Sequence, residues 1–179
     1  MLCPCGSNTL YENCCLTIIN GTQKAKSPEQ LMRSRYSAYA VKNSQYILDT
    51  YAKTTRIDQS LIEIESSENS CQWIKLNVRQ CSNWSDSEQE IGTTLATVEF
   101  DAFYLVENKI YQITEISRFI KEMPCENSQS NEEDKQWFYL DGDIIKHSEI
   151  VSVKRNDLCP CQHNQNKEKK KKFKKCCGK

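Results

Sequence analysis

At 179 residues the chain is long enough for one ordinary core with small appendages, and no apolar run approaches the length of a membrane span. Its formal net charge of zero hides an uneven distribution, because residues 154–179 carry +8 and the remainder must therefore carry −8. The first twenty residues lack a basic start followed by an apolar stretch, so the expectation is a cytoplasmic protein without membrane contact, whose eleven cysteines stay reduced and favour metal binding over a disulfide framework.

The chain opens on Leu2-Cys3-Pro4-Cys5, which recurs letter for letter as Leu158-Cys159-Pro160-Cys161. Each copy is closed by an adjacent cysteine pair that follows an aromatic residue: Tyr11-Glu12-Asn13-Cys14-Cys15 in the first and Phe173-Lys174-Lys175-Cys176-Cys177 in the second. Zinc takes four soft or borderline ligands at tetrahedral corners, and thiolate is the common choice where no position stays open. Cys3, Cys5, Cys14 and Cys15 are thus one candidate site, and Cys159, Cys161, Cys176 and Cys177 a second. Proline between the first two ligands fixes φ and removes a donor, which suits a rigid knuckle. Adjacent cysteines form only strained disulfides, which disfavours the alternative of oxidised pairs. Cys71, Cys81 and Cys125 stand singly and read as small buried thiols.

Beyond the first module, which takes residues 1–20, Asn20 to Lys26 reads as a linker. Ser27-Pro28-Glu29-Gln30 is a helix start, with Ser27 as N-cap, Pro28 where its missing N–H costs nothing and Gln30 closing a capping box. A helix is predicted over Pro28–Val41 and a second over about Gln45–Ala52. After Thr55 the period shortens, and strands are predicted at 61–65, 72–79, 94–106 and 109–119, with Glu107-Asn108 as a hairpin turn. Residues 82–90 and 126–135 read as polar loops, and Trp137 to Leu140 as a last strand ending in an Asp141-Gly142-Asp143 turn. Helices followed by an antiparallel sheet make residues 27–150 an α+β middle domain.

The C-terminal module, residues 154–179, departs from its N-terminal counterpart. Fourteen residues separate Cys161 from Cys176, against eight between Cys5 and Cys14. The extra loop closure costs about 0.5 kcal/mol, whereas a structural zinc is worth about 10–16 kcal/mol. The lost turn, replaced by Gln162-His163-Asn164-Gln165-Asn166 where the first module has Gly6-Ser7-Asn8, is the larger change, and His163 reads either as a substitute ligand or as a solvent-exposed loop histidine. Lys167 to Lys175 holds seven lysines around Phe173. That run is open to a nucleic-acid contact, to a solvated loop that offsets thiolate charge, or to association with the acidic body.

The pattern CPCGSN followed by YENCC resembles the SEC-C zinc motif, found also at the C-terminus of the preprotein translocase ATPase SecA. Pro28 to Tyr39, Val98-Glu99-Phe100, Ser117-Arg118-Phe119 and Trp137 to Gly142 resemble the bacterial YchJ family. That resemblance implies a nuclear-transport-factor-two-like domain between two SEC-C motifs: helices on a curved antiparallel sheet, forming a cone with a cavity. Tyr36, Tyr39, Trp73, Phe100, Tyr104 and Trp137 are the candidates to line the cavity or simply to fill the core. Glu99, Asp101 and Glu115 read as partners for Arg33, Arg35 or Arg118, while His147 and His163 fall outside the predicted sheet, so no catalytic constellation is read. The function expected is zinc-dependent contact with a protein or ribosomal partner, as the SEC-C motif of SecA implies. A ligand-binding or catalytic cone and a nucleic-acid-binding tail are the alternatives.

Overall fold

The computed structural model describes residues 1–83, 94–124 and 132–179. The C-terminal part of the predicted 82–90 loop, most of the 126–135 loop and Cys125 lie outside these residues. Among the described residues the order is α1 (Cys15–Ile19), α2 (Pro28–Val41), α3 (Ser44–Asp49), α4 (Lys53–Arg56), α5 (Leu61–Ser70), β1 (Gln72–Asn83), β2 (Thr94–Val106), β3 (Lys109–Glu122), β4 (Gln136–Ser152) and α6 (Gln162–Gln165). The strands form one antiparallel meander, β1-β2-β3-β4, that does not close.

Helix α2 runs over the predicted residues because its ends are written locally. The Ser27 hydroxyl accepts from the Gln30 backbone N–H at 3.2 Å, and the Gln30 side chain accepts in turn from Lys26 N–H at 2.8 Å. At the far end Lys42 adopts a left-handed conformation, and the Asn43 N–H returns to the Ala38 carbonyl. The Glu107-Asn108 hairpin is likewise as predicted, with both residues at positive φ, the geometry that matches strand twist.

Two predicted elements come out differently. Residues 61–65 are not a strand but the start of α5, whose buried positions, Ile64 and Glu68, recur at helical spacing. A five-residue alternation is too short to tell the two periods apart. Likewise Asp141-Gly142-Asp143 is no turn, since β4 continues through it to Ser152. Residues 141 and 143 point to one face, where both carboxylates reach Arg118 on β3. The second helix is also shorter than predicted, ending at Asp49 before the separate turn α4.

Each face of the sheet is covered by something different. On one face the cross-strand pairs Ala96/Phe119, Val98/Ser117 and Phe100/Glu115 lie under α2, and Leu31, Met32 and Tyr36 of that helix complete the main core. On the opposite face, at the hairpin end, Leu105 and Ile110 pack with Ile74, Val153, Cys159, Cys161 and Phe173. The C-terminal module is therefore part of the outer core of the sheet.

Ion pairing also departs from the prediction. Arg79, not foreseen, bridges Glu99 and Asp101, and Arg33 pairs with Glu29 one turn away on α2. Asp101 is 5 % exposed and also accepts from Gln112 and Thr114, so it ties β1, β2 and β3 together.

Candidate metal centres

In each terminal module the two knuckles are held by the same backbone pattern. Cys3 N–H bonds Thr9 C=O at 2.8 Å and Tyr11 N–H bonds Met1 C=O at 2.9 Å; in the C-terminal copy Cys159 bonds Lys171 at 2.9 Å and Phe173 bonds Asp157 at 2.7 Å. A single turn of 3-10 helix, Tyr11–Asn13 or Phe173–Lys175, then delivers the cysteine pair. Cys14 and Cys176 adopt nearly the same unusual backbone conformation, φ −132° and ψ −114° against φ −136° and ψ −105°.

The four sulfurs of Cys3, Cys5, Cys14 and Cys15 all lie within 4.8 Å of one another, as do those of Cys159, Cys161, Cys176 and Cys177. Around an ion with bonds of about 2.3 Å to sulfur, tetrahedral corners are about 3.8 Å apart. Cys5 and Cys14 are 3.6 Å apart, Cys14 and Cys15 4.0 Å, and Cys161 and Cys176 3.6 Å. Both clusters are of a size that could hold a four-thiolate ion.

Without a cation, such clusters confine their negative charge. The Cys3 thiol is held well below its ordinary range by hydrogen bonds from the Cys15 and Cys5 thiols, and Cys15 is pushed far up by the same contact. In the second cluster the Cys177 thiol holds Cys161 down to about 5, while burial and the Cys159 contact push Cys176 up to about 11. A bound cation takes the place of the shared protons, so binding competes with protonation.

Comparison with known proteins agrees with this architecture. A family model for the YchJ middle NTF2-like domain matches residues 27–142, and the SEC-C motif model matches residues 2–17. The chain belongs to the YchJ-like family. A UPF0225 protein of Enterobacter sp. (strain 638) is 36 % identical over 179 residues, covering 99 % of this chain and 97 % of its own length. One of Shewanella sp. (strain ANA-3) is 35 % identical, at 99 % and 96 % coverage. Among solved structures, a SEC-C motif containing protein from Psychrobacter arcticus matches with a TM-score of 0.66 at 27 % identity, over 99 % of this chain and 96 % of that one. A second, from Rhodopseudomonas palustris, matches with 0.65 at 28 % identity, over 82 % and 100 %.

In this YchJ-like chain the missing glycine turn of the second module is replaced by a helix. Where the first module turns on Gly6 and Asn8, both at positive φ, the second inserts α6. Asn164, only 1 % exposed, fastens the insertion: its amide donates to the Cys159 and Lys171 carbonyls at 2.9 and 3.0 Å and accepts from Lys171 N–H at 2.6 Å. The backbone N–H of Asn164 also helps hold Cys161 low. The sequence reading missed this residue. Its signal is only an asparagine in a polar stretch, and its partners are set by the fold.

His163 is not among the four clustered ligands. Its Nε2 lies 3.1 Å from the Leu2 carbonyl oxygen, in the opposite module. Two more contacts join the modules: Asn166 to Asn8 at 2.5 Å, and Gln162, which packs over Gly6 so closely that a Cβ there would sit 2.5 Å from its amide nitrogen. Gln162 also accepts from the Leu76 N–H of β1 at 3.2 Å, while Arg33 of α2 donates to the Cys5 carbonyl at 2.8 Å. The two candidate centres are thus side by side, each anchored to the body and to the other.

Of the remaining cysteines, Cys71 is half-buried and Cys81 is exposed beside Glu29, so Cys81 is not the buried thiol predicted. Tyr36, Tyr39, Trp73 and Phe100 do line a cavity of about 300 Å³ on the face covered by α2, together with Arg35, Tyr51, Glu115, Phe119 and Tyr139. Tyr104 instead stacks on Tyr111 near the hairpin and bonds His147, which lies in β4 and so inside the sheet. Trp137 packs against the core.

Proposed function

We propose that the protein is a zinc-binding interaction protein whose two terminal modules act as one docking head for a protein or ribosomal partner. The observation that carries this reading is the pair of four-thiol clusters, each of tetrahedral size, mounted against one another. Thiolate-only sets with no open position are the pattern of structural rather than catalytic zinc. The ligands are Cys3, Cys5, Cys14 and Cys15 in residues 1–20 and Cys159, Cys161, Cys176 and Cys177 in residues 154–179, flanking a middle domain over 27–150. Exposed Lys167, Lys169, Lys170, Lys171, Lys172 and Lys175 on the second module suit an acidic partner surface.

Native mass spectrometry of the full chain should find two zinc ions, and one in either Cys14→Ser or Cys176→Ser. Affinity capture with the intact protein should then recover a partner that the double variant loses. Identical partner sets from both would end the docking role of the modules. Recovery of RNA that survives removal of residues 162–179 would show that the lysine run is not the contact.

A further inference from the structure

The cavity on the face covered by α2 holds two charged side chains that the metal centres do not use. Arg35, on α2, is 6 % exposed. Its Nη1 donates to the Ile47 carbonyl at 2.8 Å and to the Thr50 hydroxyl at 2.6 Å, and its guanidinium packs on the rings of Tyr51 and Tyr139, with Cζ at 4.6 and 4.4 Å from their centroids. No carboxylate among the described residues lies within 4.0 Å of it. Neither Nε nor Nη2 makes a hydrogen bond to a described residue, and the side chain lines the cavity. A mostly buried cation with spare donors and no carboxylate in contact is stabilised when an anion joins it.

Glu115, on β3, lines the same cavity. One of its oxygens accepts from Ser117 at 2.6 Å and from the Tyr139 hydroxyl at 3.2 Å, and it too has no cationic partner within 4.0 Å among the described residues. Tyr139 stands between the charges, its ring on Arg35 and its hydroxyl on Glu115. Gly142 makes the room, since a Cβ there would collide with the Glu115 carboxylate and the Tyr139 hydroxyl. The remaining wall is aromatic: Tyr36, Tyr39, Trp73, Phe100 and Phe119. Trp73 also carries a buried indole N–H with no partner among the described residues.

We propose that this cavity binds a small zwitterion of the α-amino-acid type, its carboxylate on Arg35, its ammonium on Glu115 and an apolar or aromatic side chain against the aromatic wall. The volume of about 300 Å³ lies at the small end of ligand pockets, which suits a molecule of this size. The guanidinium fork recognises a carboxylate in two-point fashion, and an aromatic lining favours both a ring and an ammonium. This reading is independent of the metal centres.

The test is isothermal titration of the full-length protein, as purified, with phenylalanine and tryptophan and with two matched probes, 3-phenylpropionate and 2-phenylethylamine, each of which lacks one charge of phenylalanine. Micromolar binding of an amino acid is expected, with each single-charge probe at least about tenfold weaker, a factor worth about 1.4 kcal/mol. Glu115→Gln should weaken the amino acid about tenfold and leave 3-phenylpropionate unchanged, whereas Arg35→Gln should weaken both. Arg35 also braces α3, so its variant is scored only where it folds; the probe series on the unaltered protein does not depend on it. Absence of saturable binding by every probe overturns the proposal. So does equal affinity for phenylalanine and 3-phenylpropionate with no effect of Glu115→Gln, which would leave a site for anions only.

Discussion

The two terminal modules reach the same sulfur geometry by different routes. The N-terminal one is short and relies on backbone conformation, with Gly6 and Asn8 at positive φ closing a tight turn between its knuckles. The C-terminal one is six residues longer in that loop and relies on side-chain bonding, with α6 and the buried Asn164 in place of the turn. A backbone turn is strained by almost any side chain added to it, whereas a side-chain knot tolerates length and fails at one residue. The difference explains how a longer loop carrying seven lysines fits without displacing a ligand.

The largest effect expected is loss of metal itself. Chelation should release both ions, and since a structural thiolate site is worth on the order of 10 kcal/mol of folding free energy, residues 1–19 and 157–178 should lose amide protection. The comparison predicts an order of release, because the C-terminal cluster has two half-exposed thiols, Cys176 and Cys177, and the N-terminal one only Cys14. Colorimetric zinc release under chelator should be biphasic, and Cys176→Ser should remove the faster phase. Acidification should act in the same direction, since protons compete for the thiolates. Single-phase release of both ions from the wild type, together with loss of both ions in either single variant, would show the centres to be one cooperative unit.

Next comes Asn164→Ala, which strands two carbonyls and one N–H around the second cluster and should cost about 2–4 kcal/mol. Zinc affinity should fall at the C-terminal site by at least about thirtyfold and stay unchanged at the N-terminal one. The mirror experiment is Gly6→Ala. It strains a φ of +86° and drives Gln162 off its bond to Leu76, for about 1–2 kcal/mol in all. Hydrogen exchange at β1 should then quicken near Leu76. If only the N-terminal module responds, the contact between modules is passive.

These substitutions also mark where reading the chain from its letters succeeds. The knuckles, the helix over Pro28–Val41 and the Glu107-Asn108 turn are encoded within a few residues, by caps, spacing and turn chemistry. The alternation at 61–65 misleads because burial of Ile64 and Glu68 is decided by packing under α3, not by the local period. Asp141-Gly142-Asp143 has the composition of a turn, yet Gly142 is there for the close approach of Glu115 and the aspartates for Arg118. The contacts of Gln162 and His163 span 86 and 161 residues, and no short-range pattern reports such pairs. The expectation that Arg35 pairs with Glu99, Asp101 or Glu115 fails because nothing near it in sequence says that it is buried among rings.

The smallest effect concerns the body alone, and it separates damage to the scaffold from damage to the modules. Glu68 is 2 % exposed; one oxygen accepts from the Ser44 hydroxyl and the other has no partner among the described residues. Burial pushes its carboxyl above the ordinary value of 4.5. A folded-state value above the unfolded one means that the charged form is the disfavoured one. The folded protein is helped below pH 4.5, and that help is lost as pH rises through the folded value. Glu68→Gln removes the charge, so the variant should be the more stable at pH 7, by up to about 1 kcal/mol, with the gap closing on acidification. Denaturant melts of both chains at pH 7 and pH 4.5, each with its zinc content measured, test this, and that content should be the same for both chains at each pH. A variant less stable at pH 7 would show that the Ser44 bond outweighs the burial of charge.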